Sequence, residues 1–399
     1  MTLEQQVANL VSATTELTNV VNGELTNVRI ENNTFKNNTL NDIDTRFNDF
    51  IQGFDEVKFV QNGFTVYVAS SGGSSAPQNP VNNQADPFDT INNAYGFLLK
   101  YYWTNGSSAI SLLPGTHTIT AKIACIHPCL IRIVGANVPD FASLHNLLAQ
   151  TTNTNRESAA SIQGSNASLL NESRSLYQSI IEVDIPNDQE CVFAVYDNLH
   201  VANVLIYQKN LGRSLICAYL GRYGPSKNPA FSCASVTFAY FSFGIHSFTG
   251  SIDFQRYRTN YFLGNGIGIY VYNTQFTNKG ELFYCSGNTG NGLQSINSMV
   301  SCAAGIFSGN GGGGIYSHSS NIFADACQCD SNASNGFYLV GGGSIRSMNS
   351  FARNNGYFGY RSDSGLIFAL GSDANASANV SGKKFENNAQ QGYVIGVNP

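Results

Sequence analysis

Charge is scarce in this chain of 399 residues. Lys and Arg number 21 and Asp and Glu 26, together 12% of the sequence, for a net charge of −5. That share is about half of what soluble domains usually carry. No cluster of Lys or Arg stands out, so the electrostatic footprint of a nucleic-acid-binding surface is missing. No apolar run is long enough to cross a bilayer, which excludes insertion by a helix. The opening residues, from Met1 to Gln6, hold no basic segment leading into an apolar one. No secretion signal is evident, and synthesis in a reducing cytosol is expected. Catalytic signatures of fixed spacing are also missing: there is no nucleophile elbow, no HExxH helix and no phosphate-cradling loop. Gly311 to Gly314 reads as a chain corner, because no strand-to-helix switch with a Lys follows.

Cysteine is present without organisation. The nine cysteines are Cys125, Cys129, Cys191, Cys217, Cys233, Cys285, Cys302, Cys327 and Cys329. An odd number argues against a disulfide framework. No CxxC pair occurs, and no nearby His completes a zinc set. Cys327 and Cys329 share one face of a strand and read as small buried thiols. No metal and no cofactor is expected.

What the chain does have is Gly, 39 of them, abundant Asn, Ser and Thr, and 26 Phe and 20 Tyr beside one Trp. Hydrophobic residues make up 42%, enough for a core. Many small polar residues beside many aromatics suit short strands joined by tight turns.

Residues 1–55 read as a helical stem. Leu3, Val7, Leu10, Thr14, Leu17 and Val21 step by 4, 3, 4, 3, 4, an a/d seam. The spacing resumes at Ile43, Phe47, Phe50 and Phe54 in a shifted register. One amphipathic helix packed on a core would show the same pattern, but a polar helix with a narrow seam better suits an oligomerising coiled coil. Residues 56–108 read as a linker and a capping helix. Phe64, Val66 and Val68 alternate as a strand, and Asp86-Pro87 is the expected N-cap of a helix over about 87–104. Residues 109–399 read as one solenoid domain, with an insertion over about 141–180.

The solenoid follows from a repeat. Gly244, Gly268, Gly292, Gly314, Gly336, Gly359 and Gly392 are separated by 24, 24, 22, 22, 23 and 33 residues. The residue after each is apolar or aromatic: Ile245, Ile269, Leu293, Ile315, Phe337, Tyr360 and Tyr393. Seven positions before the last six sit Tyr261, Cys285, Phe307, Cys329, Ala352 and Phe385; the first repeat has Thr237 there. Four positions before stand Asn288, Asn310, Asn332, Asn355 and Asn388, with Gly264 ahead of them. A constant phase with a period of 22–24 predicts one coil per repeat. Coils stack about 4.8 Å apart, so equivalent residues lie above one another. Stacked Asn can bond coil to coil, and Gly is expected to supply positive φ at the corners. The expected fold is all-β, a right-handed parallel β-helix. The step of 33 predicts a loop of about ten residues near Gly371 to Gly382.

At this point the residues resemble a family. The opening MTLEQQVANLVSATTELTNVVN is similar to the start of many phage tail-fibre proteins. PFDTINNAYGFLL, with AISLLPGTHTI and LIRIVGAN after it, looks like the start of the pectate-lyase-like β-helix of phage tailspikes. The resemblance implies a homotrimer, attachment to the tail or baseplate of the virion through the stem, and recognition of host surface polysaccharide. The chain stops at Asn398-Pro399 straight after a coil, so contact is expected on the lateral face or the tip.

Many tailspikes of this fold cleave glycans, and hydrolysis needs two carboxylates. Glu281 and Asp325 each lie 11 before their Gly, two coils apart, with Ala303 between them and Arg258 near the same phase. Such a match is expected by coincidence among a dozen or so acids, and solvated surface charge is the better reading of them. Arg256, Tyr257 and Arg258 could serve a lyase or simply bind an acidic glycan. Asp330 and Arg353 share a phase on adjacent coils and read as a surface ion pair. His127-Pro128 reads as a turn. Exposed aromatics are the better signal: Tyr240, Tyr257, Tyr270, Tyr272, Tyr316 and Tyr338 recur along the coils and suit sugar stacking, though packing between subunits would use them too. Attachment to host polysaccharide is therefore the first reading. A polysaccharide depolymerase and a structural tail adaptor carrying another receptor-binding protein are the alternatives. No catalytic residue is assigned.

Overall fold

The computed structural model describes residues 58–139, 173–186, 191–210, 214–221, 228–256, 258–279, 282–372, 376–387 and 390–398, with Gln5, Thr15, Glu16, Asn19, Leu170 and Asn171. The chain divides into two units after Lys58. Before residue 56 four residues are described, Gln5, Thr15, Glu16 and Asn19, each helical and exposed; every residue of the expected a/d seam lies outside the described residues.

The second unit is a parallel β-solenoid of about ten turns. Its strands stack into three faces. Sheet 1 runs from Thr65–Val68 through Ser108–Leu112 and Ile131–Val134 down to Gly365–Phe368 and Gly392–Ile395. Sheet 2 starts at Gly115–Ile119 and Ser179–Val183 and reaches Gln328–Asp330. Sheet 3 starts at Ile123–Cys125 and Cys191–Val195 and ends at Phe358–Ser362 and Gly382–Glu386. The first solenoid strand thus falls inside the segment expected to be linker.

Strand alternation fills the interior. In sheet 3, Ile245, Ile269, Leu293, Ile315, Phe337 and Tyr360 are in register and fully buried, as the repeat predicts. Sheet 2 contributes Phe238, Phe262, Cys285, Phe307 and Cys329. Phe238 stacks on Phe262 at 5.0 Å, and Phe337 on Tyr360 at 4.9 Å. Eight of the nine cysteines are buried and all nine are free thiols, Cys327 and Cys329 among the fully buried.

Three features of the repeat differ from expectation. The inward residue of the upper coils is Phe238 or Phe262, not Thr237 or Tyr261. The ladder partner above Asn288 is Asn265, not Gly264. Both offsets have one cause: the corner between sheets 2 and 3 is one residue shorter in these two coils. Gly392 does not continue the Gly column. It opens a sheet-1 strand beside Gly365, and Tyr393 points outward at 47% exposure. The residue in register with Tyr360 is Lys384.

The Gly column is also Gly for another reason than the one expected. From Gly244 to Gly359 none of its members has positive φ. Instead the backbone of each coil presses on the next: a Cβ on Gly292 would lie 2.9 Å from the Gly314 carbonyl oxygen and from Phe307. The left-handed corner is the position just before the ladder Asn, occupied by Gly264, Gly287, Gly309, Ser331 and Asn354, with φ from 55° to 63°.

The Asn ladder runs Asn265, Asn288, Asn310, Asn332, Asn355, Asn379. Asn310 shows the pattern. Its Oδ1 accepts from Asn288 N at 3.1 Å and Asn288 Nδ2 at 2.9 Å. Its Nδ2 donates to Asn332 Oδ1 at 2.9 Å and to the Cys285 carbonyl at 3.0 Å. Both amide hydrogens and both lone pairs are used, which is how a fully buried amide is tolerated. Asn388 lies outside the described residues.

A short helix, α1 (Ile91–Leu98), lies against the first strands and buries Ile91, Ala94, Tyr95 and Leu98. Its N-cap is Thr90, whose hydroxyl accepts from Asn93 N at 3.2 Å, rather than Asp86. The chain cannot turn helical earlier because Phe88 pairs with the sheet: its N–H donates to the Tyr67 carbonyl, and its carbonyl accepts from Ala69. The helix also stops short of 104, since Tyr101–Asn105 is a strand.

Of the 141–180 segment, residues 141–169 lie outside the described residues. Leu170, Leu176 and Tyr177 pack on the outer side of sheet 2, over Leu205, Tyr207, Tyr261, Leu263 and Tyr284. Tyr177 Oη lies 3.0 Å from Thr237 Oγ1, and the Arg174 guanidinium sits 4.4 Å from the Tyr207 ring centre.

Candidate functional site: an aromatic column on the outer face of sheet 3

Residues next to the buried positions of sheet 3 must point outward. In register from the top they are Tyr219, His246, Tyr270, Gln294, Tyr316, Tyr338, Arg361 and Phe385. All are partly exposed. Phe243 and Ile267 border the column on one side, and Phe248, Tyr272 and Ile296 on the other.

The upper part is a cluster of rings. His246 lies 4.6 Å from Phe243, 4.7 Å from Tyr270, 4.8 Å from Phe248 and 5.6 Å from Tyr219, centre to centre. Among the described residues neither ring nitrogen of His246 has a hydrogen-bond partner, and burial pushes its pKa down to about 4. Tyr316 and Tyr338 meet edge to face at 5.4 Å. The hydroxyls of Tyr270, Tyr272 and Tyr316 have no partner among the described residues. Partial burial raises the pKa of Tyr270 and of Tyr316.

The lower end is clamped by an ion pair. Arg361 lies 4.7 Å from the Tyr338 ring centre and 5.2 Å from that of Phe385. It forks onto Asp363 with two contacts of 3.0 Å, and Tyr338 Oη donates to Asp363 at 2.5 Å. Burial opposes ionisation of Asp363, but these hydrogen bonds outweigh it and hold its pKa below the ordinary value. Amides line the rims. Asn291 Nδ2 donates to Gln294 Oε1 at 3.1 Å, while Asn273 and Asn297 occupy left-handed corners at the exit of the sheet.

The column collects three of the residues expected from sequence, Tyr270, Tyr316 and Tyr338, with Tyr272 beside them. Tyr240 is elsewhere, at a left-handed corner packed on the covered face of sheet 2, where burial raises its pKa to about 12. Tyr257 and Glu281 lie outside the described residues. Asp325 is a corner staple: it pairs with Arg346 at 2.5 Å and accepts from Met348 N at 3.0 Å. Ala303 follows the sheet-1 strand Met299–Ser301, and its carbonyl accepts from Asn278 Nδ2 at 2.7 Å. Arg256 and Arg258 are exposed between the strands Gly250–Phe254 and Asn260–Leu263. Asp330 and Arg353 do pair, at 2.7 Å, with the carboxylate more deeply buried than a surface pair requires. His127 sits in the turn before Ile131–Val134, its Nε2 2.7 Å from the Tyr101 carbonyl.

His246, Gln294 and Arg361 escaped the sequence reading. The signal was present, since each lies two residues after a column Gly, at the phase of Tyr270, Tyr316 and Tyr338.

A second polar group lies on the outer face of sheet 1. His200 Nδ1 is 2.8 Å from Ser232 Oγ, and Lys279 pairs with Asp253 at 2.5 Å. Burial, with Arg132 nearby, lowers the His200 pKa to about 4. Among the described residues no group of His, Cys, Asp and Glu is arranged to hold a metal ion.

No protein-family model matches the chain, and no curated protein does. Three solved structures show some similarity. A rhamnogalacturonan lyase is 12% identical with a TM-score of 0.37, over 84% of this chain and 85% of that one. Pectate lyase Pel9A is 14% identical with a TM-score of 0.41, over 82% and 78%. The GH136 lacto-N-biosidase from Eubacterium ramulus is 8% identical with a TM-score of 0.23, over 80% and 67%. At such values the likeness assigns no role to any residue of this chain.

Proposed function

We propose that this chain binds cell-surface polysaccharide through the outer face of sheet 3, as the subunit of a phage tailspike or tail fibre. The column of Tyr270, Gln294, Tyr316 and Tyr338 is the observation that supports the binding reading. Tyr rings offer flat apolar surface to the C–H faces of sugars, and their hydroxyls and the neighbouring amides can bond sugar hydroxyls. The row repeats once per coil, about every 4.8 Å, and so suits a repeating polymer. The phage assignment, with its homotrimer, its tail-attached stem and its place in the virion, rests on the resemblance of residues 1–22 and 87–137 to tail fibres and tailspikes. A right-handed coil is the hand that parallel crossover connections almost always take.

Four of the described carboxylates support adhesion over cleavage, while Asp197, whose pKa burial raises, stands outside this group. Asp325, Asp330, Asp363 and Glu182 are each held by a cation. A general acid or base must instead be free to reach its substrate.

The test is to incubate the purified protein with surface polysaccharides from candidate hosts, and to measure both retention and glycan length. Retention without shortening, lost in Tyr270→Ala/Tyr316→Ala, is the expected result. Shortened chains would make the protein a depolymerase. Intact glycan with no retention would leave a structural tail component as the better reading.

A further inference from the structure

The sheet-3 face also carries information about what kind of polysaccharide it takes and how that chain lies. We propose that the ligand is an uncharged polysaccharide that runs along the solenoid axis, one coil after another, and not across the strands. This rests on the binding reading above.

Charge is the first argument. Among the described outward residues of sheet 3 from Tyr219 to Val340 there is no Asp, Glu, Lys or Arg. The first fixed charge met on descending is Arg361, and Asp363 already neutralises it with a two-pronged contact. An acidic polymer needs cations spaced along its path, because each carboxylate it brings must give up water. Among the described residues this floor offers no cation free for it. Aromatic rings, Gln294, Asn291 and unpartnered Tyr hydroxyls are what it offers, and these match neutral sugar hydroxyls and C–H faces. The same chain places cations elsewhere: Arg132, Lys279, Arg256 and Arg258 all belong to sheet 1 or the corner after it. Scarcity of charge in the sequence as a whole therefore does not explain the bare floor.

Dimensions are the second argument. From Tyr219 to Phe385 the column makes seven coil-to-coil steps, roughly 34 Å at about 4.8 Å each. Across the face, a strand such as Ile267–Tyr272 is six residues long, about 20 Å at roughly 3.3 Å per residue. Along the strands the side chains alternate inward and outward, so a crossing chain meets two or three rings, Tyr270 and Tyr272 on one coil and Phe243, His246 and Phe248 on the coil above. An axial chain meets ring or amide at every step from Tyr219 to Tyr338.

Affinity electrophoresis in native gels tests this directly. Gels are cast with uncharged polymers (a glucan, a mannan, a galactan) or acidic ones (polygalacturonate, hyaluronate, alginate). We expect retardation in at least one uncharged gel, unchanged between low and moderate salt and weakened about tenfold by Tyr316→Ala. Oligosaccharides of increasing length cut from the retarding polymer should then compete better until they outgrow roughly 20 Å, and continue to improve beyond it. Retardation only in acidic gels, relieved by salt, would overturn the charge assignment, and if Tyr316→Ala still weakened it the binding face would stand. A plateau in affinity at the width of the sheet would overturn the axial direction. Retardation untouched by Tyr270→Ala or Tyr316→Ala, or absent from every gel, would sink the binding reading and this inference with it.

Discussion

Replacing Asn310 by Ala should damage the solenoid far more than the removal of one small polar side chain suggests. The amide makes four hydrogen bonds at full burial. Without it, Asn288 keeps its backbone N–H and one Nδ2 hydrogen facing a dry cavity. Asn332 Oδ1 still accepts from Asn310 N at 3.1 Å, so that acceptor is not stranded. Two buried donors without partners cost about 1–3 kcal/mol each, and roughly 4 kcal/mol is expected in total. Asn321→Ala is the matched control. Asn321 accepts from Ser344 Oγ at an exposed site, and its loss should cost less than about 0.5 kcal/mol. Urea unfolding compares the two, and hydrogen exchange should place the loosening in the coils that carry residues 285–332, since solenoids unfold by neighbouring repeats. Asn310→Asp adds a sign. A buried carboxyl has its pKa raised and, when neutral, can donate to Asn332 and accept from Asn288. The folded form then holds a proton that the unfolded form gives up, so this variant should lose stability as pH rises through the carboxylate range. The double variant Asn288→Ala/Asn310→Ala should cost less than the sum of the single ones, because the stranded Nδ2 donor goes with the Asn288 side chain, although the backbone N–H of residue 288 stays without its acceptor. A penalty for Asn310→Ala below about 1 kcal/mol, or strict additivity, would refute the account of the ladder.

Other consequences are as open to measurement. Gly292→Ala should destabilise by about 2–3 kcal/mol through its clash with Gly314 and Phe307, whereas Gly309→Ala, with left-handed φ but open space, should lose about 1 kcal/mol. The reverse order in thermal unfolding would mean that conformation, not crowding, selects these glycines. Burial lowers the pKa of His117, His200 and His246, the latter two to about 4. The unfolded chain therefore takes up protons that the folded one refuses, and stability should fall as pH drops from about 6.5 toward 4. His246→Phe should show a shallower fall; an unchanged slope would exclude His246 from it. Thiol titration should find at most Cys129 reactive in the native protein and all nine groups after denaturation, because the other eight are buried. Rapid native reaction of more than one thiol would contradict the packing of the core.

The coil was legible because stacking forces equivalent residues into one phase, so Gly268, Gly292, Gly314 and their partners announce the period without any knowledge of the fold. Counting from a single Gly hid the coils where a corner is one residue shorter. That is why Phe262 and Asn265 were missed while Tyr261 and Gly264 were taken in their place. The break at Gly392 was hidden for a similar reason, since a Gly-aromatic pair opens a strand in sheet 1 as readily as in sheet 3. The functional face was half legible. Aromatic content pointed to Tyr270, Tyr316 and Tyr338, but not to the rings gathered around His246 or to the clamp of Arg361 on Asp363. Those depend on contacts between coils that sequence distance does not show.

The ladder has one more consequence, for the lifetime of the chain. Asn265, Asn310 and Asn355 each precede a glycine. In a flexible peptide an Asn-Gly pair ages: the glycine nitrogen attacks the amide carbon, ammonia leaves, and the succinimide that forms hydrolyses to aspartate or isoaspartate. Here that nitrogen is occupied, since the N–H of Gly266, Gly311 and Gly356 donates to the carbonyls of Phe241, Asn288 and Asn332. The folded solenoid thus suspends a chemical clock that starts whenever these coils open. Isoaspartate at Asn310 would be a record of past unfolding, and a chain so marked would have lost the amide its neighbours need in order to close again.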